Sequence, residues 1–223
     1  MKLKTTRHEP RDAVTIAPAH ALGDLRFRAL LSEEAWNALP LAIRRRFSKR
    51  LAGGKTVVYA GTVLQTRMSK AGWWLAQATR LVGGPLPLSR ESDMPSVVTV
   101  TEDMMTGGQI WTRLYARRNA FPQIIHSSKR FAGPTGLEEY VGYGAGMALA
   151  VSVVDGALVF RSAGYFLQLF GRRFALPAWL SPGDLSVTHG ELVGDYFSFT
   201  LDLTHPRLGA LIRQTAAFRE AET

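Results

Sequence analysis

Large apolar and charged side chains alternate most clearly over Gln109 to Arg118, QIWTRLYARR. Successive side chains of an extended strand point to opposite faces, so Trp111, Arg113, Tyr115 and Arg117 share one face while Ile110, Thr112, Leu114 and Ala116 share the other. One face suits a core and the other can grip a ligand. The stretches SVVTVTED, FPQIIHSSKRF, GLEEYVGYG, GMALAVSVV, ALVFRSAGYF, LSVTHGEL and DYFSFTLDL are further strand candidates, and KTVVYAGTVLQTR is a longer one with Gly61 as a candidate bulge. Between two apolar runs, Asp155-Gly156 supplies the positive φ values that a tight type I′ hairpin turn requires.

Helical patterns come first in the chain. Ser32 followed by Glu33 and Glu34 reads as a helix start, with acidic side chains at the positive end of the dipole. Pro40 interrupts the run, and a second piece, LAIRRRFSKRLAGG, places Ile43, Phe47 and Leu51 on one stripe before Gly53-Gly54. Ala71 to Leu81 predicts a short helix carrying Trp73, Trp74, Gln77 and Leu81, and Pro85 to Pro95 reads as a loop. Residues 1–24 show no period beyond a strand-like patch at Val14 to Ile16 and are expected to form a poorly ordered arm, leaving 25–223 as a single β-rich domain.

These elements predict an α+β fold: a strongly curved, mostly antiparallel sheet of about eight or nine strands, a partial or full barrel, preceded by helices. The Trp73 helix is expected to pack on or in the concave face as a plug. The mouth of such a sheet is a usual place for a small ligand.

Composition narrows the partners. The formal charge of +9 and hydrophobic content of 46% describe a basic globular protein. Its charge suits anionic partners, although its scatter outside Arg44 to Arg50 argues for a solvated surface first and gives no expectation of nucleic acid. Cysteine is absent, which removes thiolate catalysis and Cys-based metal sites. No segment reaches the run of about 18 apolar residues that a spanning helix needs. The opening MKLKTTRHEPRDAV has no apolar run of a secretory signal, so a cytoplasmic location is expected.

A series of motifs resembles a bacterial family of unknown function, DUF4166. It opens with Leu39-Pro40 and the strand around Gly61, and centres on the Trp-x-Arg-x-aromatic pattern of Trp111, Arg113 and Tyr115. Glu139 and Gly142 follow, then Gly171, Leu176 and Pro177 in LFGRRFALPAWL. Glu191, the alternating Phe197, Phe199 and Leu201, and HPRLGALI with Pro206 and Gly209 complete it. The resemblance spans roughly Leu39 to Ile212. Gln214, Thr215 and Ala216 depart from it, where a tyrosine and a glycine are usual. It implies a possible association with saccharopine dehydrogenase-like oxidoreductase domains, and it implies no chemistry.

Arg113 and Glu139 are the foremost candidate pair. An arginine among aromatics needs a carboxylate or an anionic ligand to offset its desolvation. If Glu139 is the partner the pair is structural, the reading preferred because a sheet-face arginine usually pairs with a neighbouring strand; if Arg113 instead points into the pocket it anchors a ligand anion, with Trp111 and Tyr115 as walls and Trp73 and His126 as further lining. Glu139 and Glu191 are the candidate acid-base groups, because burial raises a carboxyl pKa. His189-x-Glu191 with His205 has the composition of an open metal triad, but the fourteen residues to His205 and its neighbour Pro206 argue for surface histidines, and no metal site is assigned. No phosphate-binding glycine loop is present, and GYGAG lies between strands, so no cofactor is assigned.

Three functions are compatible with this pattern, in this order. The first is binding of a small hydrophobic or amphipathic, anionic molecule in a pocket of the curved sheet. The second is a barrel-type isomerase, cyclase or hydrolase using carboxylate acid-base chemistry. The third is a module whose basic helix, Arg44 to Arg50, docks on a membrane surface or a partner.

Overall fold

The computed structural model describes residues 24–221. The expected N-terminal arm, with its patch at Val14 to Ile16, lies outside the described residues save for Asp24. Two short helices come first, α1 (Glu33–Ala38) and α2 (Leu41–Phe47). The Ser32 hydroxyl accepts the Ala35 N–H at 3.2 Å, which caps α1 as its sequence predicts. Helix α2 stops at Phe47 rather than running on to the glycines. Asp24 N–H bonds to the Ser48 carbonyl at 2.8 Å, and Leu51 leaves the helical stripe to join a core cluster with Tyr59, Val63 and Val98.

The strands are β1 (Thr56–Met68), β2 (Met94–Asp103), β3 (Gly108–Tyr115), β4 (Gln123–Arg130), β5 (Glu138–Gly142) and β6 (Ala145–Val154). They continue as β7 (Ala157–Leu169), β8 (Arg172–Ala175), β9 (Asp184–Glu191), β10 (Phe197–His205) and β11 (Gly209–Glu220). Ten of them form a ring in the order β6-β5-β4-β3-β2-β1-β11-β10-β9-β7, closed by β7 pairing back onto β6, with β8 hanging from β7 outside it. Every pairing is antiparallel. The barrel is therefore fully closed, which leaves no sheet edge within the ring to pair with another chain.

Asp155 and Gly156 both adopt positive φ (49° and 72°), as the predicted β6–β7 hairpin turn demands. Gly61 is not the bulge of β1, because the register shift falls between Val63 and Gln65. A Cβ at Gly61 would lie 2.0 Å from the Ala217 carbonyl oxygen, so this glycine serves close approach of the two strands.

Strand β11 is the largest addition to the expected fold. ALIRQTAAFRE is rich in Ala, Arg, Gln and Glu, which individually favour helix. Yet Ile212, Gln214, Ala216 and Phe218 are buried on alternate positions between β1 and β10. Pairing on both sides overrides the weak local preference.

The two ends of the barrel are closed differently. At one end, which we call the α2 end, Ile43 and Phe47 pack with Leu158 and Phe160 of the barrel wall. At the other, helix α3 (Lys70–Ala78) and the 3-10 turn Thr79–Val82 cross the opening. Gly72 rests on β11, where a Cβ would meet the Leu211 carbonyl oxygen at 2.1 Å, and Gly83 rests against the Val141 carbonyl oxygen of β5. Strands β11 and β5 stand five places apart in the ring of ten, so the segment spans opposite walls. The Trp73 helix is thus a lid over the mouth rather than a plug inside it.

Candidate functional site

Between the two caps lies a cavity of about 70 Å³. The inward faces of β3, β4 and β5 supply its charged and aromatic hydrogen-bonding side chains, Trp111, Arg113 and Tyr115, then Lys129, then Glu139, and β11 adds the buried amide of Gln214. Val98, Leu149, Phe160, Val187, Phe199 and Phe218 make the remaining wall largely apolar. The predicted two-faced pattern of β3 is therefore realised, with the Trp111, Arg113, Tyr115 face turned inward.

Register brings the charges together. Arg113 lies opposite Ile125 on β4, two residues from Ser127, while Lys129 lies opposite Glu139. Arg113 Nη2 donates to Ser127 Oγ at 2.5 Å and to Glu139 Oε1 at 3.2 Å. Lys129 Nζ sits 3.0 Å from Glu139 Oε2. The three side chains retain only 20%, 11% and 7% exposure for Arg113, Lys129 and Glu139. Arg113 Nε is buried with no hydrogen-bond partner among the described residues. The Lys129 ammonium also lies 5.0 Å from the centre of the Trp111 ring, a favourable cation–π distance.

Two cations here share one carboxylate. Burial opposes ionisation of Glu139, but Lys129 and Arg113 outweigh it and hold its carboxyl down to about 2. Burial also pushes the Lys129 ammonium below its ordinary value, and the Arg113 charge adds to that while Glu139 opposes it. The carboxylate gains from both cations, whereas Lys129 must divide its counter-ion with Arg113. Burial keeps the Tyr115 phenol above its ordinary value and hence neutral. With both cations protonated, the cavity floor carries two positive groups against one carboxylate, with an unused donor on Arg113. Such a floor favours a carboxylate or comparable anion. Glu139, ionised and already bonded, is a hydrogen-bond acceptor here and holds no proton to donate near neutral pH.

The other candidates are dispersed. His126 is exposed on the outer face of β4, its Nδ1 3.0 Å from Thr112 Oγ1, because Ile125, Ser127 and Lys129 take the inward positions. Trp73 lies on the side of α3 away from the barrel interior and lines an open surface cleft of about 530 Å³ with Leu88, Arg90 and Arg117. Trp73 is displaced because α3 seals the mouth through Ala71, Leu75 and Ala76, which leaves its tryptophans outside. Glu191 lies at the α2 end, 3.5 Å from Arg46, well apart from Glu139 in the ring. His205 closes β10 at the lid end, whereas His189 and Glu191 close β9 at the α2 end, so the metal triad does not assemble. Among the described residues no group of three His, Asp or Glu side chains is placed to hold a metal ion.

Lys129 is the site residue that sequence reasoning missed. Its signal was present, since Ile125, Ser127 and Lys129 share parity on β4, but only the β4–β5 register sets it opposite Glu139. His189 is not the surface group its sequence context suggests. It is fully buried, and Phe47, Phe197 and Phe199 surround it with ring centres 4.6–5.2 Å away.

These features define a ten-stranded antiparallel β-barrel, closed by helices at both ends, with a small charged cavity inside. No helix among the described residues is long and apolar enough to cross a membrane. The chain belongs to the family described as Domain of unknown function (DUF4166), whose profile matches residues 39–218. The matched region runs through most of β11, beyond the point where the sequence motifs ended. No curated protein and no solved structure matches the chain.

Proposed function

We propose that the barrel binds a small amphipathic anion, with its carboxylate or equivalent head group at Arg113 and Lys129 and its apolar part against the aromatic wall. The observation that carries this reading is the charge imbalance: Arg113 and Lys129 face the single carboxylate of Glu139, and Arg113 Nε has no partner among the described residues. A buried charge without a counter-ion is costly, and an anionic ligand offsets it.

Size limits the ligand. Drug-sized sites occupy about 300–1,000 Å³, well above the 70 Å³ enclosed here. The closed barrel admits only a few heavy atoms, so a longer apolar tail requires α3 to move from the mouth. A single helix held by Gly72 on β11 and a turn held by Gly83 on β5 is a suitable element for that opening.

Calorimetric titration with octanoate and with octanol tests the reading. Octanoate is expected to bind and octanol to bind far more weakly, with the difference lost in Arg113→Gln. Equal affinity for acid and alcohol, or no heat with either, overturns it.

A further inference from the structure

The lid end of the barrel carries a surface feature that the cavity does not explain. Seven aromatic side chains are exposed among the described residues, and six of them lie at this end. Trp74 stands on α3, Phe121 between β3 and β4, and Tyr143 between β5 and β6. Phe170, Phe174 and Trp179 belong to the β7–β8 hairpin and the segment after it. Phe170 is completely exposed at the hairpin tip, and β8 is exposed along its whole length.

Charge is distributed with the same bias. The connections at the lid end, residues 69–93, 116–122, 143–144, 170–183 and 206–208, contain eight Lys and Arg against two Asp and Glu. At the α2 end the strand connections, residues 104–107, 131–137, 155–156 and 192–196, contain no Lys or Arg and two Asp, and the cap, residues 24–55, adds eight Lys and Arg against three Asp and Glu, so that end carries a net +3 against +6 at the lid end. Aromatic tips interleaved with arginine suit the boundary between water and an anionic bilayer, where rings enter the interface and cations meet the head groups.

We propose that the lid end docks on an anionic lipid bilayer, with Phe170 and Phe121 entering the interface and Arg118 and Arg172 meeting the head groups. The basic run Arg44 to Arg50 is the poorer surface. Arg46 turns inward to His189, Lys49 pairs with Glu220, and Tyr196 is the only exposed aromatic at that end among the described residues. A nucleic acid is less well matched, because the rings sit on separate projecting turns rather than along one groove. The docking surface stands on exposure and charge alone, so it does not depend on the cavity holding a ligand.

Co-sedimentation with vesicles of equal parts phosphatidylcholine and phosphatidylglycerol tests this, with phosphatidylcholine vesicles as the neutral control. The native protein is expected to bind the anionic vesicles, more weakly as salt rises. Arg118→Gln with Arg172→Gln should weaken binding about twenty-fivefold, or about fivefold per charge. Phe170→Asn should weaken it without unfolding, since Asn tolerates the φ of 50° at that position. Arg45→Gln with Arg50→Gln, at the opposite end, should leave binding intact. The proposal is overturned by no binding to anionic vesicles, by a loss that follows the α2-end pair instead, or by capture of single-stranded nucleic acid without vesicles. A dimer in solution that Phe170→Asn dissolves, with vesicle binding unaffected, also overturns it.

Discussion

Arg46 of α2 donates a hydrogen bond to Nε2 of His189 on β9 at 2.7 Å, and its guanidinium carbon lies 3.9 Å from the centre of the Phe197 ring. A guanidinium only donates, so Nε2 must be the acceptor and the proton of the neutral imidazole resides on Nδ1. That Nδ1 is buried with no partner among the described residues. One buried histidine thus joins the helical cap to the barrel wall, and only its neutral form can do so.

Acid should weaken the protein through this contact. Burial, with the Arg46 charge, holds His189 well below its ordinary value of 6.5. The unfolded chain takes up a proton there as pH falls below that value, while the native state does not. Stability is therefore fully present above about pH 6.5 and is lost on acidification, by at most about 1.4 kcal/mol per pH unit. Urea midpoints measured from pH 7.5 to 5 should fall, and His189→Gln, which keeps an acceptor for Arg46, should flatten that slope. Glu139 contributes an acid loss of the same sign in a lower window, between its ordinary 4.5 and about 2.

Removing charges from the cavity should have opposite consequences depending on sign. Glu139→Gln leaves Arg113 and Lys129 facing each other without a counter-ion and should cost about 3–5 kcal/mol. Lys129→Met leaves a balanced Arg113–Glu139 pair and should cost no more than about 1 kcal/mol. Chemical denaturation of the two variants checks the asymmetry, and equal losses would contradict the charge imbalance.

Gly72→Ala should loosen the lid. Alanine favours helix by about 1 kcal/mol over glycine. A Cβ 2.1 Å from the Leu211 carbonyl oxygen meets backbone, however, and overpacking of this kind costs about 1–3 kcal/mol. A net loss of stability, with faster hydrogen exchange along α3, is the expected outcome.

Phe170→Asn should leave stability, measured by thermal unfolding, unchanged within about 0.5 kcal/mol. The side chain is completely exposed and its backbone is left-handed, so nothing in the fold depends on the ring. A large loss of stability would show instead that the ring has a structural role.

Several elements are legible in the sequence alone. The alternation in QIWTRLYARR determined which side chains of β3 share a face, Ser32 marked the start of α1, and Asp155-Gly156 marked a hairpin turn. All of these are local, because backbone geometry alone couples neighbours two to four residues apart. Arg113 and Glu139 were paired in expectation because a buried arginine demands a counter-ion, and the structure joins them.

Tertiary structure decided the rest. Barrel closure needed β11, whose local preferences are helical and whose strand form depends on β1 and β10 bonding to it from both sides. Lys129, Arg113 and Glu139 meet only because the β3–β4 and β4–β5 registers set them so, and a shift of one residue would turn any of them outward. Trp73 and His126 lost the places expected for them because α3 covers the mouth with its small residues and β4 turns its even positions out. The face of Trp111, Arg113 and Tyr115 could be read from one strand; the excess charge that gives it a use belongs to three.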